Sequence, residues 1–154
     1  MKRRCSKCGK CEVRSISHPT KREIDGRVFA ADIPATRCNA CGEVLISAPG
    51  MLAFDHALTG DLARSGAVGP QGFRWLRKAA RLPSVRLAEL LDVTPGTVSR
   101  WENGKQALDR RAVALVAALA LEAQGDRAAA LDLLEALAAG KPSKRVRLDV
   151  RAAG

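Results

Sequence analysis

Cys5-Ser-Lys-Cys8-Gly and Cys38-Asn-Ala-Cys41-Gly repeat one pattern, with twenty-nine residues between Cys8 and Cys38. A C-x-x-C turn aims two thiolates at one point, and the glycine after it accepts the positive φ such a turn needs. Two of these turns bring four thiolates together, a soft donor set whose tetrahedral arrangement suits Zn²⁺. Cys11 makes a rival C-x-x-C with Cys8. It is followed by Glu12, whereas Gly9 follows Cys8 as Gly42 follows Cys41. Cys5, Cys8, Cys38 and Cys41 are therefore expected to hold one structural zinc ion per chain. Five cysteines, an odd number in paired spacings, favour a metal in a reducing cytosol over a disulfide framework.

A second stretch, Leu82–Lys105, carries a different chemistry. Leu87, Ala88 and Leu91 fall on one side of a short helix, and Asp92-Val-Thr94 makes a turn. Thr94 is a good N-cap and Pro95 falls at the first helical position, where its missing N–H costs nothing. Val98 and Trp101 then face inward, leaving Thr97, Ser99 and Arg100 outward. This is the layout of a helix-turn-helix whose second helix enters a DNA major groove. Arg100 is long and forked enough to bond guanine O6 and N7 together, a contact worth ~1–3 kcal/mol against a wrong base. Thr97 and Ser99 are short hydroxyls within reach of bases or phosphates, and Thr94 is counted with them as a DNA-contact residue. Val98 and Trp101 are core.

The elements around these two stretches give an α+β fold: a small β-rich zinc domain over residues 1–48, then an all-α domain over 71–140. Glu12–Ser17 and Val28–Ile33 read as strands with Asp25-Gly26 as a hairpin turn, and Glu43–Ser47 as a third short strand. So small a segment buries little core, so the metal should supply much of its folding energy. Met51–Leu62 reads as a short helix, and Ser65–Pro70 as a Gly/Pro-rich linker that completes the connection 49–70. In the helix that follows, Phe73 and Leu76 point inward, while Arg74, Arg77, Lys78 and Arg81 form a basic face suited to phosphates. Asp109 caps a helix to about Gln124, and Asp126 caps another through Ala139. Val113, Val116, Ala117 and Ala120, with Leu131, Leu133, Leu134 and Leu137, give apolar surface for the domain's own core and for pairing two subunits. Such a homodimer would read a palindromic operator with half-sites about one DNA turn (~34 Å) apart.

The chain carries a formal net charge of +10, unevenly distributed. Residues 1–48 are net +5, 71–108 net +4 and 141–154 net +4, while 109–140 are net −2. Double-stranded DNA would be attracted by the basic segments, and the tail 141–154 is expected to be mobile and to add non-specific phosphate attraction. No apolar run approaches the ~18 residues of a membrane span, and the basic start lacks the apolar stretch of a signal peptide. A cytoplasmic protein without membrane contact is expected. His18 beside Pro19 and His56 lack suitable companions, and no Ser/His/Asp or Cys/His arrangement supports catalysis, so the chain is expected not to be an enzyme.

The run Thr97-Val-Ser-Arg-Trp-Glu-Asn-Gly-Lys105 resembles the Cro/repressor-type (Xre-like) helix-turn-helix family, and the resemblance extends over roughly residues 72–123. It adds Ser84, where the family often has a phosphate-holding glutamine, and Asn103 and Lys105, at phosphate-holding positions after the recognition helix. Pro95 and Gly96 stand where the family often places base-reading side chains, which leaves readout to Arg100 and DNA shape. Rubredoxins are similar in their two knuckles but surround them with aromatic residues, and Phe29 is the only aromatic in the first 48 positions. The two halves in this order resemble the MqsA-type antitoxins, with Val28–Cys38 and Cys41-Gly-Glu43 similar to the second half of a YgiT-type zinc finger. The resemblance implies a DNA-binding dimer that represses its own operon, with a finger domain that holds a toxin ribonuclease. A stand-alone zinc-finger/helix-turn-helix regulator without a toxin is the alternative.

Overall fold

Two twelve-residue strands, β1 (Val13–Ile24) and β2 (Arg27–Cys38), form an antiparallel hairpin around Asp25-Gly26 in a computed structural model that describes residues 4–10, 12–126, 139 and 143–150. Both strands outrun their expected limits because they continue through prolines. Pro19 lies on β1, an outer strand, where a missing N–H is tolerated. Pro34 falls between the two segments of β2 that other strands pair on its far side. One of those strands is β3 (Val44–Ile46), antiparallel to residues 35–37. On β2 the alternating residues Phe29, Ala31, Ile33 and Ala35 are buried, the period expected of a sheet with one covered face.

Helix α1 (Ala48–Ser65) supplies the cover. Ser47 caps it by accepting from Gly50 N–H at 3.2 Å, and Gly66 ends it in the left-handed conformation. Phe54, Leu58 and Leu62, one turn apart in succession, are fully buried and join Phe29 and Ile33 in the core. The connection to α2 (Pro70–Ala79) is only residues 66–69. The stretch expected to be a linker, Ser65–Pro70, is thus the connection between the two helices with one helical residue at each end, and it is tied down from the hairpin. The Asp25 carboxylate accepts from the backbone N–H groups of Gly69 at 2.8 Å, Gln71 at 2.9 Å and Gly72 at 2.8 Å. Asp25 N–H in turn donates to Gln71 Oε1 at 2.8 Å. Gly69, the residue at the N-cap, has no side chain to do this itself. A Cβ on Gly69 or Gly72 would lie 2.6 Å from the Asp25 carboxylate, so both glycines permit the approach.

Among the described residues three further helices follow: α3 (Ser84–Leu90), α4 (Pro95–Glu102) and α5 (Arg110–Ala123). Asp109 caps α5 through Arg111 N–H, and its hydrogen bonds with Arg111 hold its carboxyl below the usual range. The hairpin and helices α1 to α5 contribute to one continuous core that includes Ile24, Phe29, Leu58, Phe73, Leu87, Val98 and Val116. Val113, Val116, Ala117 and Ala120 are buried within it, so this stripe closes the chain's own core. The expected helix over 126–139, with its leucines, and Cys11 lie outside the described residues apart from Asp126 and Ala139.

The basic tail differs most from expectation. Residues 145–147 form β4 (Arg145–Arg147), which pairs in parallel with residues 28–30 of β2. Leu148 is buried, and Val146 and Val150 pack against the core. Alternating apolar residues thus hold a segment whose charge alone pointed to solvent. Arg27 fastens it: buried over the Phe29 ring, it bonds Ser143 O at 3.0 Å and Asp61 Oδ2 at 2.8 Å.

Asp25→Ala removes a charged acceptor from three N–H groups and should cost about 1–3 kcal/mol. Urea denaturation would show this as a lower midpoint, with Asp25→Asn falling between the two. An unchanged midpoint would show that water replaces the cap without loss.

Candidate functional site

The two C-x-x-C-G turns fold alike. Gly9 N–H donates to Cys5 O and Gly42 N–H to Cys38 O, each at 2.9 Å, with φ of 72° and 76° at the two glycines. Cys5 N–H reaches Lys10 O and Cys38 N–H reaches Glu43 O, again at 2.9 Å each. The paired turns place Cys5, Cys8, Cys38 and Cys41 with all four sulfurs within 4.8 Å of one another. Cys5 and Cys41 sulfurs are 3.7 Å apart and those of Cys8 and Cys38 3.6 Å apart. A tetrahedron of thiolates about 2.3 Å from a central ion has edges of about 3.8 Å, so the spacing fits a bound metal ion and is far too long for disulfides.

Electrostatics at the cluster agree. Backbone N–H groups of Cys8 and Lys7 hold the Cys5 thiol down to about 7. Cys41 accepts from the Glu43 backbone, yet desolvation and the thiols around it push it up to about 12. Four thiolates this close repel one another, and a divalent cation is what would let all of them ionise together. Lys7 and Glu43, one from each turn, pair at 2.8 Å across the outside of the cluster.

At the other end of the hairpin, the helix-turn-helix is set by a buried ion pair. Arg77, expected on a basic outer face, is buried instead: Nε and Nη2 bond both oxygens of Glu102, and Nη1 donates to Leu82 O at 2.7 Å. It follows Phe73 by four residues and Leu76 by one, which places it in the inward stripe. The guanidinium therefore ties α2 to the end of α4 and to the loop before α3. Arg74, Lys78 and Arg81 remain exposed, Arg74 with Glu102 at 3.5 Å. Trp75 is half-buried, lies under Arg22 and donates Nε1–H to Thr59 Oγ1 at 2.9 Å. Val98 and Trp101 are buried, with the Phe73 and Trp101 rings edge to face at 5.8 Å.

The outer side of α4 carries the expected polar residues in two bonded groups. Thr94 caps the helix by accepting from Thr97 N–H at 3.1 Å, and the two hydroxyls are 3.0 Å apart. Arg100 Nη2 donates to Thr97 Oγ1 at 3.0 Å and its Nε to Gln106 Oε1 at 3.0 Å. The Asn103 amide turns back onto Ser99, to its carbonyl at 2.8 Å and its hydroxyl at 3.2 Å. Thr94, Ser99, Arg100, Asn103 and Lys105 are exposed and Thr97 half-exposed. Ser84 opens α3, half-buried, apart from these two bonded groups. Gln106 and Glu102 do not stand out in the sequence; the helical phase of Arg77 points to an inner partner, but nothing local marks Gln106.

Residues 72–131 match the family model of a helix-turn-helix domain. No curated protein and no solved structure matches the chain. The chain thus joins a four-cysteine cluster able to hold a metal ion to a DNA-binding helix-turn-helix domain, the combination of a DNA-binding regulator. No helix among the described residues is long and apolar enough to cross a membrane.

Three variants probe these supports. Cys38→Ser should lose bound metal by elemental analysis and shift amide resonances of residues 5–10 and 38–43, leaving those of α4 in place; full metal content would refute the cluster. Glu102→Ala leaves a guanidinium buried without its partner and should cost about 3–5 kcal/mol, against less than about 1 kcal/mol for exposed Arg74→Ala. Equal losses in denaturant melts would contradict that assignment.

Proposed function

We propose that this protein is a sequence-specific transcriptional repressor that binds a palindromic DNA operator as a homodimer and acts by binding, not catalysis. The observation that carries the reading is Arg100: exposed on the second helix of the helix-turn-helix, with its side chain already anchored beside Thr97 and Gln106. Thr94, Thr97, Ser99, Asn103 and Lys105 surround it as hydroxyl, amide and ammonium groups suited to phosphates and base edges, with Ser84 a weaker contact at the start of α3. The cysteine cluster holds zinc in this reading, the metal that four thiolates in a tetrahedron favour, and the ion is structural because no ligand position is left open. The protein is placed in the cytoplasm, where thiols stay reduced.

The order of the two halves, C-x-x-C-G … C-x-x-C-G-E followed by an Xre-like motif, supports an antitoxin: a repressor of its own operon whose cysteine-bearing half holds a toxin protein. Co-expression with the product of a short neighbouring reading frame tests this directly. A one-step pull-down that recovers both, with relief of growth arrest, is the expected result; neither occurring would leave a stand-alone regulator.

For DNA binding, Arg100→Ala should lower operator affinity at least about ten-fold while leaving weak, salt-dependent binding to unrelated duplex intact. A mobility-shift titration in which the variant still distinguishes operator from unrelated duplex as well as the parent would overturn the assignment.

A further inference from the structure

Arg100 has five N–H groups, arranged in a rigid planar fork. Its Nε edge is engaged: Nε donates to Gln106 Oε1 and Nη2 to Thr97 Oγ1, both at 3.0 Å. Thr97 Oγ1 is in turn 3.0 Å from the capping hydroxyl of Thr94, which is fixed by its bond from Thr97 N–H. The guanidinium lies along the first turn of α4, where a Cβ on Gly96 would stand 3.5 Å from Nη1. Any side chain longer than alanine at 96 would compete for that place. The Nη1/Nη2 edge, with two parallel N–H groups, is thereby left to point away from its anchors. That edge is the one that fits two acceptors on a single base.

Gln106 is not on the recognition helix. It lies four residues past the end of α4, exposed, in a loop whose path is set by Lys105 N–H donating to Arg100 O at 2.9 Å. Its side-chain oxygen is given to Arg100, which leaves its Nε2–H₂, a donor only, on an exposed residue. We propose that Gln106 is a specificity-determining residue: it positions the Arg100 guanidinium for one guanine and offers its own amide N–H to an acceptor on the neighbouring base pair. This rests on the reading of Arg100 as the base contact. Holding a long flexible side chain in its bound orientation before DNA arrives removes an ordering cost from binding, and that gain is largest for the base that matches the fixed orientation. A neutral side chain adds no counterion release, so its effect separates from general phosphate attraction.

The test uses the full chain and a set of operator duplexes carrying each base pair in turn at every half-site position, titrated at two salt concentrations. Gln106→Ala should relax the guanine preference at the position read by Arg100 by about ten-fold, with unrelated-duplex affinity and salt dependence unchanged. Gln106→Glu keeps an acceptor for Arg100 Nε and should restore much of the preference while weakening binding to every duplex, because it adds a negative charge. A loop role alone would make Gln106→Ala weaken all duplexes equally, and that result overturns the proposal. Arg100→Ala separates the two levels. If it relaxes one position and Gln106→Ala does not, Arg100 reads DNA without Gln106; if it relaxes none, both the reading and the inference fall.

Discussion

One carboxylate joins the two halves of this chain. The Asp25 side chain, at the tip of a hairpin whose far end carries the cysteine cluster, takes the first N–H groups of α2 as its partners. Those groups are left over by the helix itself, and the positive end of the helix dipole adds to their attraction for an anion. Because Gly69 cannot cap α2, the helix that begins the DNA-binding half borrows its cap from the sheet. The arrangement fixes the direction of the hairpin relative to α2, and with it where the cysteine end can reach. Ile24 and Phe29 beside the tip then share a core with Phe73 and Leu76, so polar and apolar contacts enforce the same docking.

A second constraint acts inside the helical half. Arg77 and Glu102 are both nearly out of solvent, so loss of either would leave the other's charge buried without its partner. Arg77 satisfies Leu82 O as well, so three elements converge on one planar group. The result is that α4 has its inner side locked by an ion pair and two aromatic rings, while its outer side holds a small bonded network of Thr94, Thr97, Arg100 and Gln106. Rigidity beneath and pre-arranged donors above are the conditions under which a few side chains can discriminate between bases.

Much of this is legible in the residues. The cysteine cluster can be read because ligand type, spacing and the following glycines all restrict the backbone locally. The helix-turn-helix can be read because Thr94, Pro95, Val98 and Trp101 report cap, start and inward face within eight residues. What cannot be read depends on groups brought together over distance. Asp25 signals a turn, and nothing nearby says that its carboxylate will meet residues 69–72. Charge alone puts Arg77 on the outside, although its spacing from Phe73 and Leu76 belongs to the buried stripe. Pro19 and Pro34 hide the true strand lengths, since whether a proline breaks a ladder depends on which neighbour its missing N–H would have faced. In the tail, five basic residues mask the alternation of Val146, Leu148 and Val150.

The parallel seating of β4 on β2 sets an order of events for the chain as it leaves the ribosome. Arg27 and Ser143, 116 positions apart, must meet before that edge of the sheet is finished. Without β4, the side of β2 that it covers would present unpaired backbone groups beside an apolar face. Contacts of such long sequence separation form slowly, and an open edge is a site for pairing with other chains. That edge cannot be closed during synthesis until residues 143–150 have emerged.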